Sequence, residues 1–156
     1  MKLYLVQHGE AEAVKVNPDR PLTAKGRADV EKVAVFAAPV IRDLGVIWHS
    51  GRTRARQTAE ILAKHFRPCH GLVEHEGLAP GDPVDAIVPE LQSSEEDIMI
   101  VGHLPFLQNL AGLLFLDNED VETIAFRNGG IVCAEQDETF ELNWRIAWII
   151  TPDILP

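Results

Sequence analysis

The sequence predicts a single-domain, three-layer α/β/α fold with a mainly parallel central sheet. Three observations predict it. Short apolar runs alternate with longer stretches whose apolar residues recur at spacings of three and four, in the order β-α-β-α-β-α-β-α and then two strands. That alternation puts a mainly parallel sheet between helices on both faces. No repeat, low-complexity segment or linker divides the chain, so residues 1–156 read as one domain. With 156 residues and 46% hydrophobic composition the chain is long and apolar enough for a proper core.

Leu3 to Val6 reads as a short strand buried on both faces. The segment "NPDRPLTAKG" is a loop punctuated by proline and glycine, with Thr23 placed to cap a helix. Val30, Val33, Ala34, Ala37, Val40, Ile41 and Leu44 then form an inward stripe despite Pro39, and Gly45 is the expected stop. "VIWHS" is the second strand, and "RTRARQTAEILAKHF" the second helix, with Ala55, Thr58, Ala59, Leu62 and Phe66 on one face. "GLVEHEGLAPGDPVDAIVPELQ" supplies a short strand, a loop and a weak helix. "DIMIVGH" is the clearest buried strand. A helix over 104–116 follows, with Pro105 in its first turn, where proline is tolerated. "GGIVCAEQ" and "FELNWRIAWII" read as a hairpin around "DET", with Trp144 and Trp148 on one face by the period of two.

A formal charge of −10 and a pI near 4.9 argue against nucleic acid or an anionic membrane as the main partner. They leave room for an anionic small group, because a local set of arginines can reverse the sign inside one cleft. Cys69 and Cys133 form no CxxC and read as reduced thiols. No secretory h-region follows Lys2, and no run approaches the ~20 apolar residues of a membrane span. The expected compartment is the cytoplasm. His49, His65, His70 and His75 have no recognised ligand spacing, so surface or packing roles are expected and neither metal nor cofactor is called for.

In open α/β sheets, ligands bind where the carboxyl ends of strands meet helix N-termini. Here the first strand ends in His8-Gly9, the second in Ser50 followed by Arg52, Arg54 and Arg56, and the fourth in Gly102-His103. Two histidines and several arginines at one sheet edge suit phosphoryl transfer. Arginines clamp phosphate oxygens, helix N-termini add backbone donors, and a neutral imidazole attacks phosphorus. A second histidine stabilises the oxygens or handles a proton. Gly9 and Gly102 allow backbone to come close to the phosphate. The Nε or Nδ nitrogen that does not attack needs an acceptor, for which the backbone near Gly9 is the expected choice.

"LVQHGEAE" resembles the Arg-His-Gly signature of the histidine phosphatase superfamily, with its phosphoglycerate-mutase-like fold. "HSGRTRARQTAEIL" is similar to that family's Ser-Pro-x-x-Arg-Ala-x-Gln-Thr segment, and "IVGHLPFL" to its Gly-His segment. The short length, "RPLTAKG", "LAPGDP" and the ending "NWRIAWIITPDIL" resemble the SixA-type phosphohistidine phosphatase branch. The resemblance spans nearly the whole chain, with three motifs in order. It implies a transiently phosphorylated His8, Arg54 and Arg20 as phosphate ligands, His103 across the pocket, and Ser50 supporting the loop. The implied substrate is a phosphohistidine-containing signalling protein, such as a phosphotransfer domain, with inorganic phosphate as product.

Gln7 departs from the family pattern, which has arginine immediately before the nucleophile. Glutamine keeps a hydrogen-bond donor but loses the charge and the fork. A charge-assisted bond contributes roughly 1.5–3 kcal/mol, so phosphate stabilisation falls by about one to two powers of ten unless Arg20, Arg52 or Arg56 compensates. The alternatives are therefore a small-molecule phosphomonoesterase and a weakly active or non-catalytic phosphate binder. Glu74, Glu76 and Asp82 give no convincing match to the acid that larger relatives use on alkoxide leaving groups. A phosphorylated imidazole needs less acid help, since its second nitrogen can take a proton before the P–N bond breaks.

Overall fold

Alternation along the first strand sets the architecture. In a computed structural model describing residues 1–139 and 141–156, Leu3 and Leu5 pack into one apolar cluster and Tyr4 and Val6 into another. Both faces of that strand must therefore be covered. In chain order the elements are β1 (Lys2–Gln7), α1 (Ala24–Ala37), β2 (Leu44–His49), α2 (Thr53–Phe66) and β3 (Leu72–Glu74). A 3-10 turn (Val84–Ala86) leads into α3 (Val88–Ser93), then β4 (Asp97–Gly102), α4 (Phe106–Leu116), β5 (Ile131–Gln136) and β6 (Trp144–Ile150). The sheet runs β3-β2-β4-β1-β5-β6. β3, β2, β4 and β1 are mutually parallel, while β5 and β6 form an antiparallel edge. The core cluster with Tyr4 holds the inward residues of α1 and α2; the cluster with Leu3 holds those of α3 and α4. The result is one three-layer α/β domain of the expected class.

The last strand, β6, opens at Trp144; Phe140, where the sequence reading opens it, lies outside the described residues. α1 is shorter than its apolar stripe suggested. The helix ends at Ala37, because Pro39 has no N–H to continue it and the N–H groups of Val40 and Ile41 both turn back to the Ala37 carbonyl. Leu44 and Gly45 belong to β2 instead. Pro105 is the cap residue of α4 and not part of its first turn. The two tryptophans correct a further expectation. Cys133 pairs with Trp148 and Ala134 with Ile146, so Ala147 is an extra residue in β6. That bulge shifts the alternation by one. Trp144 packs with the α3/α4 face, while Trp148 packs on the α1/α2 face with its ring 6.0 Å from that of Tyr4.

Among the described residues, no helix is long and apolar enough to cross a membrane. Cys69 is exposed, Cys133 is buried, and both are free thiols.

Candidate active site

The sheet itself brings the two histidines together. β1 and β4 are adjacent and parallel, with Gln7 opposite Gly102. The His8 N–H donates to the Gly102 carbonyl at 3.1 Å, carrying the pairing one residue beyond the strand. His8 and His103 therefore leave the same edge side by side, their ring centroids 5.1 Å apart and tilted by 53°. β2 lies on the other side of β4 and delivers Ser50, whose Oγ is 2.6 Å from His103 Nε2. The first turn of α2 follows at once, and Arg54 Nε donates to His8 Nε2 at 3.3 Å.

The protonation state of His8 follows from its partners. The Gly9 carbonyl can only accept, and His8 Nδ1 lies 2.7 Å from it, so Nδ1 carries the ring proton. Nε2 keeps its lone pair and faces Arg54. Burial pushes His8 down to about 4; the charges of Arg54 and Arg20 act in the same direction, against the pull of the Gly9 carbonyl. Burial likewise pushes His103 down to about 3, helped by His8, Arg54, Arg52 and Arg20. Both rings are neutral at pH 7. The arginines feel one another too: burial and the charges of Arg20 and Arg52 lower Arg54 from its usual value. Among the described residues, none of these three guanidinium groups forms an ion pair with a carboxylate. A chain of net charge −10 thus holds a cluster of uncompensated cations around two neutral imidazoles.

Arg20 reaches the site from a loop, with φ at 47° and its Nε donating to the Glu12 carbonyl at 3.0 Å. Ser50 also accepts the Arg52 N–H at 3.4 Å, which ties the turn between β2 and α2 to His103. Gln7 sits at the end of β1 with its Oε1 buried and unpaired, as is His103 Nδ1.

Gly9 requires a correction. Its N–H already donates to Thr58 Oγ1 at 2.9 Å and its carbonyl holds His8, so it has no free donor for a phosphate. Glycine is needed there for packing: a Cβ would meet Val30 Cγ2 at 2.9 Å and the Gly26 carbonyl at 3.1 Å. At Gly102 a Cβ would meet Leu107 no closer than 3.5 Å, an ordinary contact, so packing within the protein does not itself demand glycine there.

Two supporting residues escape sequence reasoning. Thr58, fully buried, accepts from Gly9 and donates to the Arg54 carbonyl at 2.8 Å, fixing the His8 loop to the turn of α2 that carries Arg54. Its only signal is a hydroxyl within an otherwise apolar stripe. Asn128 Nδ2 donates to the His8 carbonyl at 2.9 Å, and the Gly129 N–H to that of Gln7. The glycine pair in "RNGGIV" marks that turn but not its contact. The remaining histidines serve elsewhere. His65, His70 and His75 pair with Glu31, Glu96 and Glu90, and His49 Nδ1 accepts the Gly51 N–H. Among the described residues, no three of His, Cys, Asp or Glu are gathered to hold a metal ion.

The carboxyl edge of this doubly wound sheet thus carries two neutral histidines and, among the described residues, arginines without carboxylate partners, a set suited to holding a phosphoryl group. The model of the histidine phosphatase superfamily (branch 1) matches residues 3–79. An uncharacterized protein of Picosynechococcus sp. (strain PCC 7002) is 34% identical over 137 residues, 83% of this chain and 76% of that protein. The chain belongs to the histidine phosphatase superfamily. Its fold is shared, at 21% identity, with the protein histidine phosphatase SixA complexed with tungstate (TM-score 0.85, 99% of each chain). A protein assigned as SixA from Agrobacterium tumefaciens gives a TM-score of 0.75 at 23% identity over 97% of each chain. A phosphoserine phosphatase mutant from Entamoeba histolytica in complex with phosphoserine gives 0.71 at 18% identity over 99% of each.

Proposed function

We propose that the protein is a metal-independent cytoplasmic phosphohistidine phosphatase working through a phospho-His8 intermediate, with residues 1–156 acting as one catalytic domain. The observation that carries this reading is the state of His8: neutral, its proton held on Nδ1 by the Gly9 carbonyl and its Nε2 lone pair beside Arg54. Arg54, Arg20 and the uncapped first turn of α2 offer positive charge and N–H donors to phosphoryl oxygens. His103, braced by Ser50, faces the same group.

His8 Nε2 bonds to phosphorus as the P–N bond of the substrate breaks, and the departing imidazole keeps the electron pair and takes a proton from solvent. Water then attacks phospho-His8, releasing inorganic phosphate and restoring the neutral ring. Neither histidine stores a spare proton at pH 7, because burial and the neighbouring arginine charges both disfavour the charged ring. Such a site has little to offer an alkoxide leaving group, which favours phosphohistidine over phosphate esters. The substrate of this reading is a phosphohistidine protein of the phosphotransfer-domain kind.

The test is phosphate release from a histidine-phosphorylated protein in EDTA, with alkaline quenching to preserve acid-labile phosphohistidine. Turnover in wild type and its loss in His8→Ala are expected. Turnover surviving in His8→Ala would sink the covalent mechanism; faster turnover of phosphoserine than of phosphohistidine would reassign the substrate class.

A further inference from the structure

The loop between β1 and α1 carries more than Arg20. It is an ordered structure: the Glu12 N–H donates to the Pro21 carbonyl, those of Val16 and Asn17 to Ala13, and that of Arg20 to Asn17. Ala11 bridges Leu22, and the Leu22 N–H is anchored on Gln57 Oε1 at 2.8 Å, which fastens the loop to α2. This framework nevertheless holds Val14 and Val16 in water, 63% and 66% exposed. Lys15 and Arg20 are balanced in this loop by Glu12 and Asp19, so the exposed valines sit in a stretch close to neutral within a chain of net charge −10.

We propose that this loop docks the phosphoprotein substrate, with Val14 and Val16 receiving apolar side chains that flank its phosphohistidine; the inference rests on the phosphatase reading above. The geometry supplies the continuity. Arg20 is four residues from Val16 in the same hydrogen-bonded loop, and its charge acts on His8 and His103. The loop leaves β1 directly after His8, so a carrier whose phosphoryl group is held by Arg20 would lie beside the loop that bears the valines. A free polar metabolite gains nothing from them, whereas a protein surface buries them at roughly 25 cal/mol for each Å² of apolar area removed from water. Val35, Phe36 and Val40 are also exposed, but they lie around the C-terminal end of α1, at the sheet edge opposite the histidines.

The experiment compares wild type with a Val14→Asp/Val16→Asp variant of the full chain on two probes: phosphoimidazole, and an isolated phosphotransfer domain phosphorylated with phosphoramidate. A Val35→Asp/Phe36→Asp variant serves as the control. For the loop variant, kcat/KM on the phosphodomain is expected to fall about tenfold or more through KM, while phosphoimidazole turnover stays within about twofold. The control should leave both unchanged. Equal activity of wild type and loop variant on the phosphodomain overturns the proposal. A parallel fall on both probes also overturns it, because the valines then act only by supporting Arg20. Wild type inert toward both probes removes the phosphatase reading itself, and the docking role with it.

Discussion

His8 and Gln7 are neighbours on one strand end with opposite degrees of satisfaction. Every polar atom of the His8 ring has a partner, whereas Gln7 Oε1 is buried with none. The neutral His8 predicts a direct observation: in a histidine ring-carbon NMR titration, His8 and His103 should remain in the neutral form from pH 8 to about 5, where ordinary histidines near 6.5 have already charged. Midpoints of either ring near 6.5 would refute the burial argument. Gln7→Arg should replace an orphaned carbonyl by a cation beside the phosphate position. A charged hydrogen bond contributes about 1.5–3 kcal/mol, so kcat/KM on phosphoimidazole should rise by roughly ten- to a hundredfold. An unchanged or lower value would mean that the surrounding groups have been built around glutamine. His8, Arg54 and His103 were legible because each stands at a strand end or a helix mouth, where chain order predicts position. Thr58 was not: the periodicity that places it inward is the same as for a core residue, and its task lies in two hydrogen bonds across elements. Gly9 was misjudged for a related reason, since a glycine needed by a packed helix and one needed by a ligand look alike in sequence.

At the scale of elements, α1 approaches the His8 loop so closely that Gly26 is indispensable. A Cβ on Gly26 would lie 2.1 Å from the Glu10 carbonyl oxygen. The same carbonyl accepts the Thr23 N–H at 2.9 Å, so the helix start and the loop cannot separate without losing the cap. In an exposed helix, Gly→Ala gains up to about 1 kcal/mol, but overpacking a backbone contact costs about 1–3 kcal/mol and here dominates. Gly26→Ala should lower the thermal midpoint and the turnover of phosphoimidazole together, because Glu10 is two residues from His8. Gly102→Ala makes the opposite case: with 3.5 Å to its nearest neighbour it should leave stability within about 0.5 kcal/mol of wild type. Equal losses in the two variants, measured by urea unfolding, would show that helix approach is not what Gly26 provides. The elements themselves were largely readable from periodicity. Their exceptions have local causes: Pro39 ended α1 early, and the Ala147 bulge sent Trp144 and Trp148 to opposite faces. A bulge leaves no mark in an alternating pattern that is already mixed.

For the whole molecule, the order of strands decides which distant segments meet. Parallel orientation was implicit in the β-α alternation, but the strand order was not, and the placing of β4 between β1 and β2 is what assembles His8, Ser50 and His103. The contact of Asn128 with His8, across 120 residues, depends on how an irregular loop returns to the sheet and had no periodic signal. The assembled site also makes stability depend on acidity. Both histidines have folded-state values below the unfolded value near 6.5, so between about 6.5 and 4 the unfolded chain binds protons that the folded chain refuses. Stability from these two groups is complete above pH 6.5 and is lost as the pH falls toward 4. With about 1.4 kcal/mol per unit, each neutral histidine forfeits about 2 kcal/mol between pH 7 and 5. Urea unfolding at pH 7, 6 and 5 should therefore show wild type losing stability steeply, and His103→Gln, whatever its absolute stability, losing about 2 kcal/mol less over the same interval. Identical losses would mean that His103 takes up its proton in the folded state as readily as in the unfolded one. Burial would then not be what keeps His103 neutral, and the neutral state of His8 would rest on its own hydrogen bonds to Gly9 and Arg54.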